Sequence, residues 1–144
     1  MNVRNKNAKA FICKVDRESS RLSVNLLFGS GKTIISTPDR GRSEGHFVPP
    51  DEDDAGYIAI ATGGKSEQWL HTLAHEYTHM LQWFRDHPLW VEWQEKGTEI
   101  AYYKLEEYTE RQACRLIEKH GLPCGDHMSR ADKYLRDLRN SLTP

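Results

Sequence analysis

His75-Glu76-Tyr77-Thr78-His79 sets two imidazoles four residues apart, with a carboxylate directly after the first. In a helix a spacing of four is close to one turn, so His75 and His79 project from one face, as two ligands of a single metal ion must. Glu76 lies roughly 100° further round. From there a carboxylate can act on a metal-bound water as general base without being a ligand itself. These residue types in this order are those of metal-assisted amide hydrolysis, with Zn2+ as the expected ion and a protein or peptide as the expected substrate.

A catalytic zinc takes three protein ligands and keeps one position for water, so a third donor must come from elsewhere. The metzincin pattern HExxHxxGxxH fails, because its glycine position is Gln82 and its last histidine position is Arg85. His87, His120 and His127 each lie in or beside an expected turn. Carboxylates are available on a second helical stretch, Trp90 to His120, closed by Gly121 and Pro123. There Tyr103, Glu106, Glu110, Ala113, Cys114 and Ile117 share one face, and Lys104, Arg111, Arg115 and Glu118 form the charged one. A carboxylate among small and apolar neighbours needs a cation or a donor, since burying it unpaired is costly. Glu110 is therefore the expected third ligand. Glu106, one turn earlier, and Glu99, 20 residues after His79, are the alternatives, and Glu107 leans to the charged face.

The element that must present the two histidines is a helix over Ser66 to Asp86, with Ser66 as its N-cap. Leu70, Leu73, Tyr77, Met80, Leu81 and Phe84 recur at helical spacing and define its core face. Gln68, His71, His75, His79, Gln82 and Asp86 fall on the opposite side, facing a cleft or solvent, where Gln82 and Asp86 could orient the imidazoles. Tyr102, Tyr103, His71 or a residue of the 37–56 stretch could stabilise an oxyanion.

Strands are expected at Ala8 to Val15 and Arg21 to Phe28, joined through the polar residues 16–20 as a hairpin, and at Lys32 to Ser36. A further strand, Tyr57 to Thr62, is placed as an edge suited to adding an extended peptide. GSGKT at 29–33 resembles the end of a phosphate loop, but the required earlier glycine is Leu26, so it reads as a turn. Residues 37–56 form a long turn-rich loop, a candidate flap. Its acidic run, Asp51 to Asp54, lacks the ligand spacing of a calcium loop. Ser129 to Ser141 adds a terminal helix, and Trp69, Trp83, Trp90 and Trp93 suit core or cleft wall. The expected fold is α+β, a single domain over 1–144. A small, mostly antiparallel sheet from residues 8–62 packs on the motif helix and on the second, ligand-bearing helix.

With 144 residues, 38% hydrophobic and 28% charged, the chain can bury a core without staples. No apolar run is long enough to span a bilayer, and Met1 to Ala10 is polar, so a cytoplasmic protein without membrane association is expected. Cys13, Cys114 and Cys124, odd in number and without metal-type spacing, are expected as reduced thiols. The formal net charge of −1 hides an asymmetry: residues 1–43 hold nine Lys/Arg against three Asp/Glu. Such an arm can serve nucleic acid, though solvated charge is the commoner outcome. Oligomeric state is not legible.

The motif and the second helix together resemble the gluzincins, HExxH zinc metallopeptidases whose third ligand is a glutamate. Glu110-Arg111-Gln112-Ala113 looks like the ExxA pattern of their ligand helix. ERQACRLIEKHGLP, residues 110–123, is similar to the EREANRFAAxLLMP region of the ImmA/IrrE-type metallopeptidases of phages, mobile elements and bacteria. The resemblance implies a minimal zincin-like peptidase with His75, His79 and Glu110 as zinc ligands and Glu76 as general base, from a phage or mobile element. Cys114 stands where that family has Asn or Asp, Leu116-Ile117 replaces its FA pair, and Glu99 keeps the offset of thermolysin-like enzymes. The alternative from another class is a non-catalytic, zinc-stabilised binding or regulatory module, possibly associated with nucleic acid.

Overall fold

A computed structural model describes residues 5–37, 41–124 and 127–142. The chain opens with a helix, α1 (Lys6–Arg21), where Asn5 Oδ1 accepts from the Asn7 and Ala8 amides at 2.8 and 3.1 Å. The strand expected at residues 8–15 and the hairpin at 16–20 are thus corrected. Strand alternation would bury Lys9, Phe11, Cys13 and Val15 together, whereas the buried residues are Ala8, Phe11, Val15 and Ser19, with Lys9 and Cys13 exposed. That is one stripe of a 3.6-residue period.

Five strands follow: β1 (Val24–Gly29), β2 (Ile34–Thr37), β3 (Gly41–Ser43), β4 (Gly45–Val48) and β5 (Gly56–Ala61). β5 lies in the middle of a three-stranded sheet, parallel to β1 from Val24↔Gly56 to Gly29↔Ala61 and antiparallel to β4 from Gly45↔Ile60 to Val48↔Tyr57. β2 and β3 make a separate antiparallel pair. Two of these three pairings are antiparallel, and the small sheet packs on helices as an α+β fold. The edge position expected for residues 57–62 belongs instead to β4. Ile58 and Ile60 are fully buried between two neighbouring strands and the helices.

The phosphate-loop look-alike is a turn between β1 and β2. Part of the expected flap is built into β3 and β4, residues 49–55 stay irregular, and 38–40 lie outside the described residues. The acidic run closes on itself: Asp51 Oδ1 accepts from the Asp53 and Asp54 amides, and those donors, Asp54 first, hold its carboxyl below the usual range.

Four helices complete the chain: α2 (Ser66–Phe84), α3 (Pro88–Lys96), α4 (Glu99–Lys119) and α5 (His127–Ser141). Lys65, not Ser66, is the N-cap of α2, and no side chain caps it. The long helical stretch expected from residue 90 breaks at Gly97, which takes the left-handed conformation with φ +60°, after which Thr98 Oγ1 caps α4 by accepting from the Ala101 amide. On α2, Leu73, Ala74, Tyr77 and Met80 enter the core with Phe11, Val15, Ile58 and Ile60. Its other long side meets α4. Tyr77 also donates its hydroxyl to Glu18 on α1.

Two further features bear on the site. A Cβ on Gly45 would fall 2.4 Å from Thr72 Cγ2 and 3.3 Å from Glu76 Cγ, so β4 lies against α2 beside Glu76 only because this residue has no side chain. Cys114 and Cys124 are joined as a disulfide and Cys13 is free and exposed, which corrects the expectation of three thiols for two of them. The turn at Gly121, with φ +71°, carries the chain back along α4 and brings the two sulfurs together, a return that sequence spacing does not reveal.

Candidate metal centre

α2 and α4 pack side by side and bring three donors to one point. His75 Nε2 and His79 Nε2 are 3.0 Å apart. Glu106 turns one carboxylate oxygen to each: Oε1 lies 3.1 Å from His79 Nε2 and Oε2 3.2 Å from His75 Nε2. Tetrahedral coordination with ligand distances of ~2.0–2.1 Å places donors roughly 3.3 Å from one another. The observed spacing therefore fits a four-coordinate cation after an opening of a few tenths of an ångström. Two neutral imidazole nitrogens and a carboxylate oxygen also suit zinc chemically.

Glu110 occupies a different position from the one expected. Its Oε1 lies 2.9 Å from His75 Nδ1, the nitrogen turned away from the three-donor cluster. Glu106 and Glu110 do share a buried face of α4, but they are separated by about 6 Å along its axis. Glu99 is exposed at the start of α4, and Glu107 pairs with Arg111 on the surface at 3.4 Å. Of the other histidines, His87 accepts from the Leu89 amide at the start of α3, and His120 packs on Phe11 with its Nδ1 2.9 Å from the Leu116 carbonyl. Asp86 lies past the end of α2, exposed and with φ +50°.

A directional chain of hydrogen bonds sets the tautomer of His79. Thr109 donates its hydroxyl to the Leu105 carbonyl at 2.7 Å, so its oxygen accepts from Gln82 Nε2 at 2.9 Å. Gln82 must then present its Oε1 to His79 Nδ1, 2.8 Å away, and Nδ1 carries the proton. His79 Nε2 is left with its lone pair pointing at His75 and Glu106. Such support fixes ring orientation and raises ligand basicity.

The charges of the site are strongly coupled. Burial works against a charged His75, but the negative charge of Glu106, with contacts to Glu106 and Glu110, outweighs it and raises the imidazole well above its usual range. Burial likewise opposes ionisation of Glu106, and His75 and His79 more than reverse this, so its carboxyl is lowered. Glu76 is 9% exposed and stands outside the three-donor cluster. Burial raises its pKa, the two histidines counteract, and Glu106 and Glu110 add to the rise.

These groups line a cleft of about 480 Å³. Gly45, His46 and Phe47 of β4 form one wall, Trp90 and Trp93 of α3 another, and Tyr102 and Tyr134 approach over it with their hydroxyls 3.4 Å apart. The helix face expected to look into a cleft does so: Gln68, His71, His75 and His79 line it, and packing of β4 and α4 around it leaves His71 1% and His79 7% exposed. His46 carries no individual signal in the sequence, since it lies in an expected loop, and Tyr134 reads there only as part of the apolar face of the terminal helix. A second group able to hold a cation, Cys114, Glu118 and Cys124, sits at the far end of α4. Its two sulfurs are bonded to each other and offer ligands only after reduction.

No protein-family model, curated protein or solved structure matches this chain. Among the described residues no helix is long and apolar enough to cross a membrane.

Proposed function

We propose that the chain is a zinc-dependent peptidase of gluzincin type in which His75, His79 and Glu106 hold the metal and Glu76 is the general base. The observation that carries this reading is the division of labour among four buried groups. Three converge within ligand distance, while the carboxylate next to the first histidine stays out of the cluster and faces the same cleft. A purely structural site has no use for that fourth group. A bound zinc ion supplies a Lewis acid and a water acidified toward neutrality.

The residues around it divide the remaining tasks. Glu76, buried in the cleft and outside the ligand set, can take a proton from the attacking water and return it to the leaving amine. Glu110 sets its charge against His75 Nδ1 as an ion-pair partner, while Gln82 holds His79 by a hydrogen bond, which reassigns the ExxA glutamate from ligand to support. Burial keeps the Tyr102 and Tyr134 phenols protonated, so both remain donors for a developing oxyanion. β4, at the sheet edge along the cleft, offers backbone groups to an extended peptide laid beside it.

Glu76→Gln tests the assignment. Hydrolysis of an unstructured protein substrate is expected to fall by about 10²–10⁴-fold, with one zinc per chain and the melting temperature retained. Undiminished hydrolysis would leave a metal-stabilised module in place of an enzyme.

A further inference from the structure

Behind α2, on the side away from the metal centre, α1, α2 and α4 border a second, open cleft of about 410 Å³. Four cationic side chains line it: Lys14 from α1, Arg85 just past α2, and Arg115 and Lys119 one turn apart on α4. The one carboxylate in its wall, Glu18, accepts the Tyr77 hydroxyl. Among the described residues none of the four cations has a carboxylate within ion-pair distance. Like charges gathered in a concavity repel one another and raise the local concentration of anions.

The volume exceeds what a single small ion fills and falls within the ~300–1,000 Å³ of small-molecule sites. Two guanidinium groups favour phosphoryl oxygens, which they can grip bidentately. At the cavity wall, the His87 and Tyr108 rings lie 4.6 Å apart and inclined by 36°, forming an aromatic surface beside the cations. We infer that this cavity binds a phosphorylated small molecule of the size and charge of a nucleoside diphosphate, with Lys14, Arg85, Arg115 and Lys119 holding the phosphoryl groups. This site is independent of the peptidase assignment.

Titration calorimetry of the full chain with ADP, in low salt and without added divalent metal, tests it, with adenosine as the uncharged comparison. ADP is expected to bind and adenosine to give no saturable heat. Arg85→Ala and Arg115→Ala should each weaken ADP binding by about tenfold or more. Arg111→Ala, one turn from Arg115 but paired with Glu107 on the surface, should leave it within about twofold. As a measurement on the unaltered chain, ADP should protect Lys14 and Lys119 from an amine-reactive reagent while Lys96 and Lys104 stay reactive. Absence of ADP binding, equal binding of adenosine, equal losses in all three arginine variants, or uniform lysine protection would each overturn the site.

Discussion

The two long sides of α2 carry opposite chemistry. On the front, Glu106 and Glu110 pair with two imidazoles at separations of 2.9–3.2 Å, and Glu76 stands beside them outside the cluster. On the back, four cations face one occupied carboxylate and find no ion-pair partner among the described residues. The front therefore holds more carboxylates than protonated imidazoles when no metal is bound, and a cation that enters must displace a proton from His75. The back is self-repelling until an anion arrives. Gln82 touches both sides: it lines the back cavity, and its side-chain amide fixes His79 at the front. One helix thus separates a site that exchanges protons for metal from one that waits for negative charge.

The largest effect should come from removing a front donor. Structural zinc sites bind with about 10–16 kcal/mol spread over four ligands, so Glu106→Ala should lower zinc affinity on the order of 10²–10³-fold. Glu110→Gln should cost only about 10–100-fold, the range for a group that supports a ligand. Competition titration with a chromogenic chelator reads both, and a larger loss in the Glu110 variant would return that residue to the ligand set. Next in size is Gln82→Leu, which leaves the buried His79 Nδ1–H without an acceptor. A stability loss of about 1–3 kcal/mol and a zinc affinity lower by about 10–100-fold are expected. Retention of both would show that the hydrogen-bond chain from Leu105 does not set the ring.

The front was legible in the sequence and the back was not, for a physical reason. His75, Glu76 and His79 lie within one and a half turns of a single helix, so their geometry follows from local periodicity alone. The same periodicity put Glu106 and Glu110 on one buried face, but choosing between them needs the axial offset of α2 against α4. Packing sets that offset, in part through Gln82 and Thr109. The back cavity joins Lys14, Arg85, Arg115 and Lys119 from three elements and has no local signature. Lys14 is further hidden because the β-branched and aromatic content of residues 8–15 reads as a strand. Only packing of Ala8, Phe11 and Val15 in the core on one helical stripe distinguishes the two. The Cys114–Cys124 pairing likewise depends on the return of the chain after α4.

Acidity should separate the two sides more gently. In protein stripped of metal, His75 is raised above its ordinary 6.5, so its contribution to stability is complete below that pH and is lost as pH rises through the folded value. Glu76, also raised, from an ordinary 4.5, weakens the fold in the same alkaline direction. Glu106 is lowered from an ordinary 4.5, so its contribution is present above that pH and is lost as pH falls through the folded value. The melting temperature of the chelated protein should accordingly peak between about pH 4.5 and 6.5. Glu106→Gln should flatten the acid limb and shrink the alkaline one. A profile unchanged by that substitution would mean that the carboxylate and the imidazoles do not share charge as the distances indicate.

The smallest effect has the opposite sign and lies at the back. Removing Glu106 at the front breaks an ion pair, but Arg115→Ala removes one of several like charges from an exposed rim. It should stabilise the ligand-free chain by no more than about 0.5 kcal/mol. Because that gain is repulsion relieved near solvent, it should vanish in about 1 M salt, where the screening length is only ~3 Å. With ADP present the sign should invert, since the same guanidinium then neutralises a phosphoryl group, and the arginine chain should melt higher than the alanine variant. Thermal melts of both chains, with and without ADP, resolve this crossing. Parallel curves in the two buffers would show that the back of α2 is a solvated surface, unlike the front.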